Sequence, residues 1–263
     1  MTKRYPTIFV GHGSPMEALE KDAFTDMLSA LGQRLARPRA VLVASAHWEE
    51  SAPLRVTASD RPETIHDFGG FPDELHEFNY PAPGDPALAR QVVDRLFKAG
   101  VPATIDSRRG LDHGCWAPLC RIFPKADVPV IQVSLPRPSD AARLQQAGAA
   151  LVGLRDEGVL MLGTGNITHN LRMVRFGDKD RAADEWATRF DAWTWDRIRG
   201  NDVERLMKYR SEAPDAHLAA PTTDHFDPLF FIMGAGAGES AVPLFEGYHF
   251  GNLSMRSFAI GSL

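Results

Sequence analysis

Short apolar runs alternate along this chain with segments of helical spacing. Six of the runs have strand length and are bounded by glycine, proline or polar residues, at positions 7–10, 40–44, 54–58, 103–105, 128–135 and 159–162. The runs at 40–44 and 159–162 are almost wholly apolar. Because central strands of a parallel sheet are covered on both faces, these two runs are predicted to lie at its centre.

Five segments show the three- and four-residue spacing of a helix, at 17–35, 86–99, 140–154, 181–199 and 228–234. The clearest is 86–99, where Leu88, Val92 and Leu96 recur, Asp85 is a candidate cap and Gly100 is a candidate stop. Strands that alternate with helices predict an α/β fold. We therefore expect a single domain over residues 1–263, with a largely parallel or mixed central sheet flanked by helices.

The stretch from 60 to 85 follows neither period. It is rich in glycine and proline, and it contains the aromatic residues Phe68, Phe71, Phe78 and Tyr80. Long irregular segments inside a compact domain usually have a function, often as a lid or a pocket wall. We expect this segment to cover the mouth of a pocket.

Composition excludes several classes of protein. The 263 residues carry 29 basic and 34 acidic side chains, so the net charge of −5 gives no reason to expect a nucleic-acid partner. No apolar run approaches the roughly 18 residues of a membrane-spanning helix. The first residues do not form a signal peptide, and two cysteines cannot build a disulfide framework. The expectation is a cytoplasmic protein without a membrane partner.

Histidines follow the ends of four of the apolar runs. His12, His47, His113 and His169 each come shortly after one, and His225 stands just before the apolar segment 228–234. In parallel α/β sheets, ligands bind outside the carboxyl ends of the strands, so these side chains could converge on one crevice. A single loop histidine is usually bonded to backbone, but packing does not require this joint pattern. Clustered imidazoles suit zinc, iron, copper or nickel, and we predict a metal site.

Other catalytic motifs are absent. The sequence Gly11-His12-Gly13-Ser14-Pro15 does not have the order of a nucleophile elbow, and Gly163-Thr164-Gly165 lacks the third glycine of a dinucleotide-binding loop. There is no phosphate-binding P-loop, and the two cysteines have no partner pair that would indicate structural zinc.

Seven ordered motifs resemble one enzyme family. They are Gly-His-Gly-Ser-Pro at 11–15, Ser-Ala-His-Trp at 45–48, Asp-Phe-Gly-Gly-Phe-Pro at 67–72, Tyr-Pro-Ala-Pro-Gly at 80–84, Leu-Asp-His-Gly at 111–114, the 163–170 segment ending in His-Asn, and Asp-His at 224–225 followed by Ser-Met-Arg-Ser-Phe at 254–258. The series is similar to the DOPA-dioxygenase type of class III extradiol ring-cleavage dioxygenases, in the LigB-like superfamily. The resemblance extends over nearly the whole chain.

The resemblance implies a single α/β domain with a non-haem metal centre, Fe(II) for catalysis, with Zn(II) also possible as the bound metal. By the matching positions, His12, His47 and His225 are the implied metal ligands. His169 is the implied acid/base, and His113 is an implied catalytic residue lining the pocket. Relatives that cleave protocatechuate use a carboxylate as the third ligand, where this chain offers His225.

The implied reaction opens the ring of a catechol with O2, so the expected partners are a small aromatic molecule and dioxygen. Histidine suits the proton transfer because its ordinary pKa, about 6.5, lies near working pH. Candidate walls for a planar ring are Trp48, Phe68 and Phe71. Arg108 and Arg109 are candidates for a substrate carboxylate.

Two aspartates adjoin the histidines in sequence. Asp112 and Asp224 could orient imidazoles as hydrogen-bond acceptors, although neighbouring side chains usually point apart.

Two other functions stay open from the sequence. A zinc hydrolase would use the same ligands to activate water, and a non-enzymatic protein would use the metal-binding scaffold for interactions. The second is disfavoured by the presence of His113 and His169 beside a complete ligand set. The expected assembly is a monomer or a small homo-oligomer.

Overall fold

The computed structural model describes residues 4–263, and a mixed eight-stranded sheet lies at its centre. The strands of the described chain are β1 Thr7–Gly11, β2 Ala40–Glu50, β3 Leu54–Thr57, β4 Ala103–Asp106, β5 Val130–Pro136, β6 Val159–Gly165, β7 Ala241–Phe245, β8 Tyr248–His249, β9 Leu253–Ser254 and β10 Ser257–Ile260. The order across the sheet is β4-β3-β5-β2-β6-β1-β10-β7, and β8 and β9 form a separate hairpin.

Strands β5, β2, β6 and β1 run parallel to one another at the centre of the sheet, whereas β3 and β10 attach antiparallel at their two sides. Helices cover both faces: α1 Ala23–Arg34, α2 Asp73–His76, α3 Pro86–Lys98, α4 His113–Ile122, α5 Ala141–Leu151, α6 Glu185–Arg199, α7 Val203–Met207, α8 Tyr209–Glu212, α9 Ala216–Ala219 and α10 Pro228–Ala235. The predicted α/β class and mixed central sheet are confirmed.

Alternate residues of the central strands enter two different cores. In β2, Leu42 packs into the core with α3, α5 and α10, whereas Val41 and Val43 pack into the core with α1 and α4. In β6, Met161 packs into the same core as Leu42, and Leu162 packs into the same core as Val41 and Val43. Burial on both faces explains why these runs are apolar at every position.

Strand β2 extends six residues beyond the predicted run 40–44. His47 therefore lies inside the strand, where the pairing with β5 shifts register between Ala44 and Glu49, and not in a loop after it. A bulge re-aims side chains without ending the strand. The continuous apolar run ends at Ala44, where the bulge begins, although Ala46 and Trp48 beyond it are still buried.

The predicted helix 17–35 is divided. A short 3-10 helix, Pro15–Ala18, precedes α1, and the two are separated at Asp22. Asp22 accepts a hydrogen bond from the Thr25 backbone while the Thr25 hydroxyl accepts one from the Asp22 backbone, which is a reciprocal cap that starts a new helix. The apolar residues keep a helical spacing on both sides of Asp22, so the sequence pattern predicted one continuous helix.

Helix α4 and strands β7 and β10 were not predicted from the sequence. Helix α4 contains Gly114 and Pro118, which weaken its helical signal, and Asp112 caps its first turn by accepting from the Cys115 backbone. The segment 60–85 is irregular as expected, apart from the single turn of α2. No helix in the described part of the chain has the length and apolar character needed to cross a membrane.

Candidate active site

Five histidines meet at the carboxyl end of the parallel strands. The ring centroid of His12 lies 5.0 Å from that of His47, 5.3 Å from that of His225 and 5.8 Å from that of His113. His169 stacks on His225, with centroids 3.4 Å apart and ring planes 8° from parallel. The sheet thus brings together residues that are up to 213 positions apart in the chain.

Backbone hydrogen bonds fix three of the histidines, His12, His169 and His225. The His12 amide donates to the Val10 and Gly165 carbonyls, directly after β1, and the His169 amide donates to the Ala219 carbonyl, shortly after β6. The Asn166 amide donates to the carbonyl of His225 and fixes the loop before α10. These bonds tie the histidine backbone to the ends of β1 and β6 and to helix α9.

Two glycines allow the close approaches that build the cluster. A Cβ atom on Gly114 would lie 2.6 Å from Ser45 Oγ and 2.8 Å from His47 Cδ2, and one on Gly165 would lie 2.1 Å from the His225 carbonyl oxygen. Any side chain at either position would push α4 or the His225 loop away from the sheet. Glycine is used here for close backbone approach.

Asp67 orients two of the histidines. Its Oδ1 accepts from the His113 backbone amide at 3.0 Å and lies 2.9 Å from His113 Nδ1, and its Oδ2 lies 3.5 Å from His47 Nδ1. Burial acts to raise the pKa of Asp67, but the hydrogen bond and charge of His113 outweigh it and hold this pKa below its ordinary value. The ionised carboxylate favours a proton on His113 Nδ1 and leaves Nε2 as an acceptor.

Asp224 orients His225 in the same way, with 2.6 Å between Asp224 Oδ2 and His225 Nδ1. Burial acts to raise the pKa of Asp224, but His225 lowers it well below the ordinary carboxyl value. The expectation for Asp224 is therefore met. Within residues 4–263 no hydrogen bond joins Asp112 to an imidazole, and its carboxylate instead accepts from Ser45 Oγ and Gln132 Nε2 and caps α4.

Three imidazoles of the centre, those of His12, His47 and His169, favour the neutral form. Burial lowers the pKa of His12, His47 and His169 well below the ordinary histidine value, and the surrounding histidines lower it further. A neutral imidazole offers a lone pair, which is the form that binds a metal or accepts a proton. Burial and the closeness of the histidines to one another thus favour the form of these imidazoles that can bind a metal or accept a proton.

The donor atoms fit a transition-metal ion. His12 Nε2 and His47 Nε2 lie 2.9 Å apart, which is about the separation of two ligands at right angles around one ion with bonds near 2.0–2.1 Å. His113 also places a ring nitrogen within 4.8 Å of this pair, and His225 forms a second such group with His169 and Asp224. Three to five imidazole nitrogens suit zinc or iron and not magnesium or calcium.

Of the three residues predicted to form walls for an aromatic ring, Phe68 contacts the histidine cluster, Phe71 packs on Phe68, and Trp48 lies apart from the histidine rings. Phe68 lies edge-on to His113, with centroids 5.6 Å apart, and Phe71 packs on Phe68 at 5.2 Å. The irregular segment 60–85 therefore contacts the cluster through Phe68, and its role as a cover for a pocket mouth stays a prediction. Trp48 is buried, with its ring under the Arg109 guanidinium at 4.9 Å, and none of the ring contacts found among the described residues joins it to a histidine.

The two candidate arginines also differ. Arg109 donates to the His47 carbonyl at 3.1 Å and lies 3.4 Å from the Asp112 carboxylate, so its charge is already engaged beside the site. Arg108 is exposed, and its backbone amide donates a hydrogen bond to Asp106.

The sequence analysis did not identify Asp67 as an orienting residue, although Asp67 begins the Asp-Phe-Gly-Gly-Phe-Pro motif. No local pattern pairs it with His113, which lies forty-six residues away.

The chain matches a family model over residues 6–257, described as the catalytic LigB subunit of aromatic ring-opening dioxygenase. The chain belongs to the LigB family. It is 41% identical to a 4,5-DOPA dioxygenase extradiol of Escherichia coli (strain K12), covering 98% of this chain and 95% of that protein. It is 40% identical to a protein of the same name from Beta vulgaris, covering 89% and 88%.

The fold agrees with that assignment. The crystal structure of an uncharacterized protein from Escherichia coli K12 superposes with a TM-score of 0.82 at 36% identity, over 98% of this chain and all of that one. This LigB-family chain is therefore an extradiol ring-cleaving dioxygenase, and its histidine cluster lies where the parallel strands end.

Proposed function

We propose that this enzyme is a non-haem metal-dependent dioxygenase that opens the ring of a catechol, DOPA or a related compound, with O2. The observation that carries the proposal is the buried cluster of His12, His47, His113, His169 and His225. Two relatives named as 4,5-DOPA dioxygenases, each at least 40% identical, make DOPA the first substrate to test.

His12, His47 and His225 would hold the ion. Their rings approach within 5.0–5.3 Å of one another, and the Asp224 carboxylate on His225 Nδ1 leaves Nε2 to bind the metal. Fe(II), when bound there, would supply the positive charge that favours a catecholate and a redox-active centre for the reaction with O2, in which the catechol itself is oxidised. Zn(II) fits the same nitrogen donors.

His169 would act as the acid/base. Its lowered pKa keeps the imidazole neutral, so it can accept the proton of a catechol hydroxyl and return it later in the reaction. His113 would hold a second substrate oxygen through its Nε2, because Asp67 engages its Nδ1. Phe68 would face the aromatic ring and exclude water from it.

Oxygen consumption tests this proposal. Protein loaded anaerobically with Fe(II) should consume O2 when DOPA or another catechol is added, with the absorbance of a ring-opened product rising in proportion. Protein that holds Zn(II) tightly and consumes no O2 with any catechol or metal would contradict it, and hydrolysis would then be the alternative to assay.

A further inference from the structure

A second group of potential metal ligands lies outside the histidine centre. Glu17 comes from the 3-10 helix after β1, Asp22 caps α1, and His249 ends β8. One ligand atom from each lies within 4.8 Å of the other two. Glu17 is 2% exposed and His249 is 7% exposed.

Polar atoms of this trio lack hydrogen-bond partners within residues 4–263. Both carboxylate oxygens of Glu17 and Nδ1 of His249 are buried without a hydrogen-bond partner, whereas Asp22 Oδ2 lies 2.6 Å from the Lys179 ammonium. Burial of an ionised carboxylate without hydrogen bonds is strongly unfavourable unless a positive charge compensates it. A cation bound among these three side chains would compensate the buried polar atoms that lack hydrogen bonds.

The spacing resembles that of ligands around an ion. Glu17 Oε1 and His249 Nδ1 lie 3.2 Å apart but do not have hydrogen-bond geometry. Two ligands on one tetrahedral ion, with bonds near 2.0–2.2 Å, are separated by about 3.3–3.5 Å. Asp22 Oδ2 lies 3.7 Å from Nε2, the other ring nitrogen of His249, and Asp22 falls within the 4.8 Å spread of the group.

Lys179 is the protein's own cation at this place. Its ammonium contacts Glu20, lies 2.6 Å from Asp22 Oδ2 and lies 3.8 Å from Glu17 Oε1. Three carboxyl groups therefore face one ammonium and one imidazole, and these oxygen and nitrogen donors suit a divalent ion.

We propose that Glu17, Asp22 and His249 form a second binding site, separate from the histidine centre, for a first-row divalent cation of the Zn(II) type. One imidazole and two carboxylates match the ligands that zinc accepts in proteins. The Lys179 ammonium competes with the ion for the same carboxylates. Lys179 lies on the segment between His169 and α6, so ion binding releases one attachment of that segment.

Equilibrium dialysis of chelator-stripped full-length protein against Zn(II) alone, with zinc measured by mass spectrometry, tests the site. His249→Ala should bind one equivalent fewer than the wild type, whereas the exposed control His217→Ala should bind the same amount. The double variant His12→Ala/His47→Ala should lose zinc at the histidine centre and keep the equivalent that depends on His249, which separates this site from the proposed catalytic one.

Lys179→Met provides the second test, because it removes the competing cation and leaves the three ligands. It should lower the dissociation constant of the His249-dependent equivalent by tenfold or more. Equal zinc stoichiometry in Lys179→Met with and without His249→Ala, in variants whose circular dichroism matches the wild type, would overturn the proposal.

Discussion

At the scale of single residues, the site depends on which imidazole nitrogens are engaged by carboxylates. Asp224 engages Nδ1 of His225, and Asp67 engages Nδ1 of His113, so each ring keeps Nε2 for chemistry. His169 has no such carboxylate contact among its described hydrogen bonds and stacks on His225 instead. This arrangement is consistent with the proton exchange proposed for His169.

His169→Ala should leave the metal content intact and lower turnover by roughly 10²–10⁴-fold, the usual contribution of a general acid/base. The variant should also lose one titration from its pH–rate profile. His12→Ala should instead lose the metal, since it removes a nitrogen 2.9 Å from that of His47. Metal analysis beside steady-state kinetics checks both, and stoichiometric metal loss in His169→Ala would make His169 a ligand.

The third ligand can be assigned by a matched pair. We expect His225→Ala to lose the metal and His113→Ala to retain it while turning over more slowly. Both variants remove one buried imidazole beside His12 and His47, so general destabilisation affects them alike. The reverse pattern in metal content would place His113 in the ligand set.

At the scale of elements, the approach of α4 to β2 positions His47. Gly114→Ala should lower the free energy of unfolding by about 1–3 kcal/mol, the usual range for overpacking, and weaken metal binding, because the new methyl group would overlap Ser45 and His47. Gly69→Ala is the control, since its Cβ meets nothing within 4 Å. Denaturant unfolding and metal dialysis of the two variants check this, and equal behaviour would contradict it.

The segment 60–85 is the element that contacts the cluster through Phe68. Phe68→Ala should raise KM for the catechol by about 2–10-fold, the equivalent of 0.5–1.5 kcal/mol for one aromatic contact, with unchanged metal content. Phe97→Ala, at a side chain that is 75% exposed on α3, is the control. An unchanged KM in Phe68→Ala would place the substrate elsewhere.

At the scale of the whole molecule, burying several histidines makes stability depend on pH. The pKa values of His12, His47 and His169 are lowered in the folded protein, so below about pH 6.5 the unfolded chain binds more protons and stability falls. Burial raises the pKa of Asp227 to about 7, which has the opposite sign between about pH 7 and 4. The three histidines together bind more protons on unfolding than Asp227 releases, so their effect on the free energy of unfolding is the larger one.

We therefore expect the free energy of unfolding of metal-free protein to fall as pH decreases from 7 to 5.5. Asp227→Asn removes the opposing contribution, so its stability should fall more steeply over the same range. Urea unfolding at several pH values measures both slopes. A flat profile for the wild type would show that the histidines do not determine acid stability.

Much of the fold and of the candidate site could be predicted from local sequence. The apolar runs at 40–44 and 159–162 predict central strands because burial on both faces leaves no polar position in them. The helix at 86–99 is predicted with its cap at Asp85 because cap and spacing are both local. The five histidines are predicted to converge because parallel strands end at one edge of the sheet.

Only the tertiary structure decided which side chains act together. The bulge that turns His47 inward, the pairing of Asp67 with His113 and the meeting of Glu17 with His249 join residues far apart in the chain. Spacing within a strand or helix carries no information about such contacts, because the register of distant segments sets them. Asp224 was predicted by adjacency and Asp112 was misassigned by it, since the backbone path after each aspartate decides where its carboxylate points.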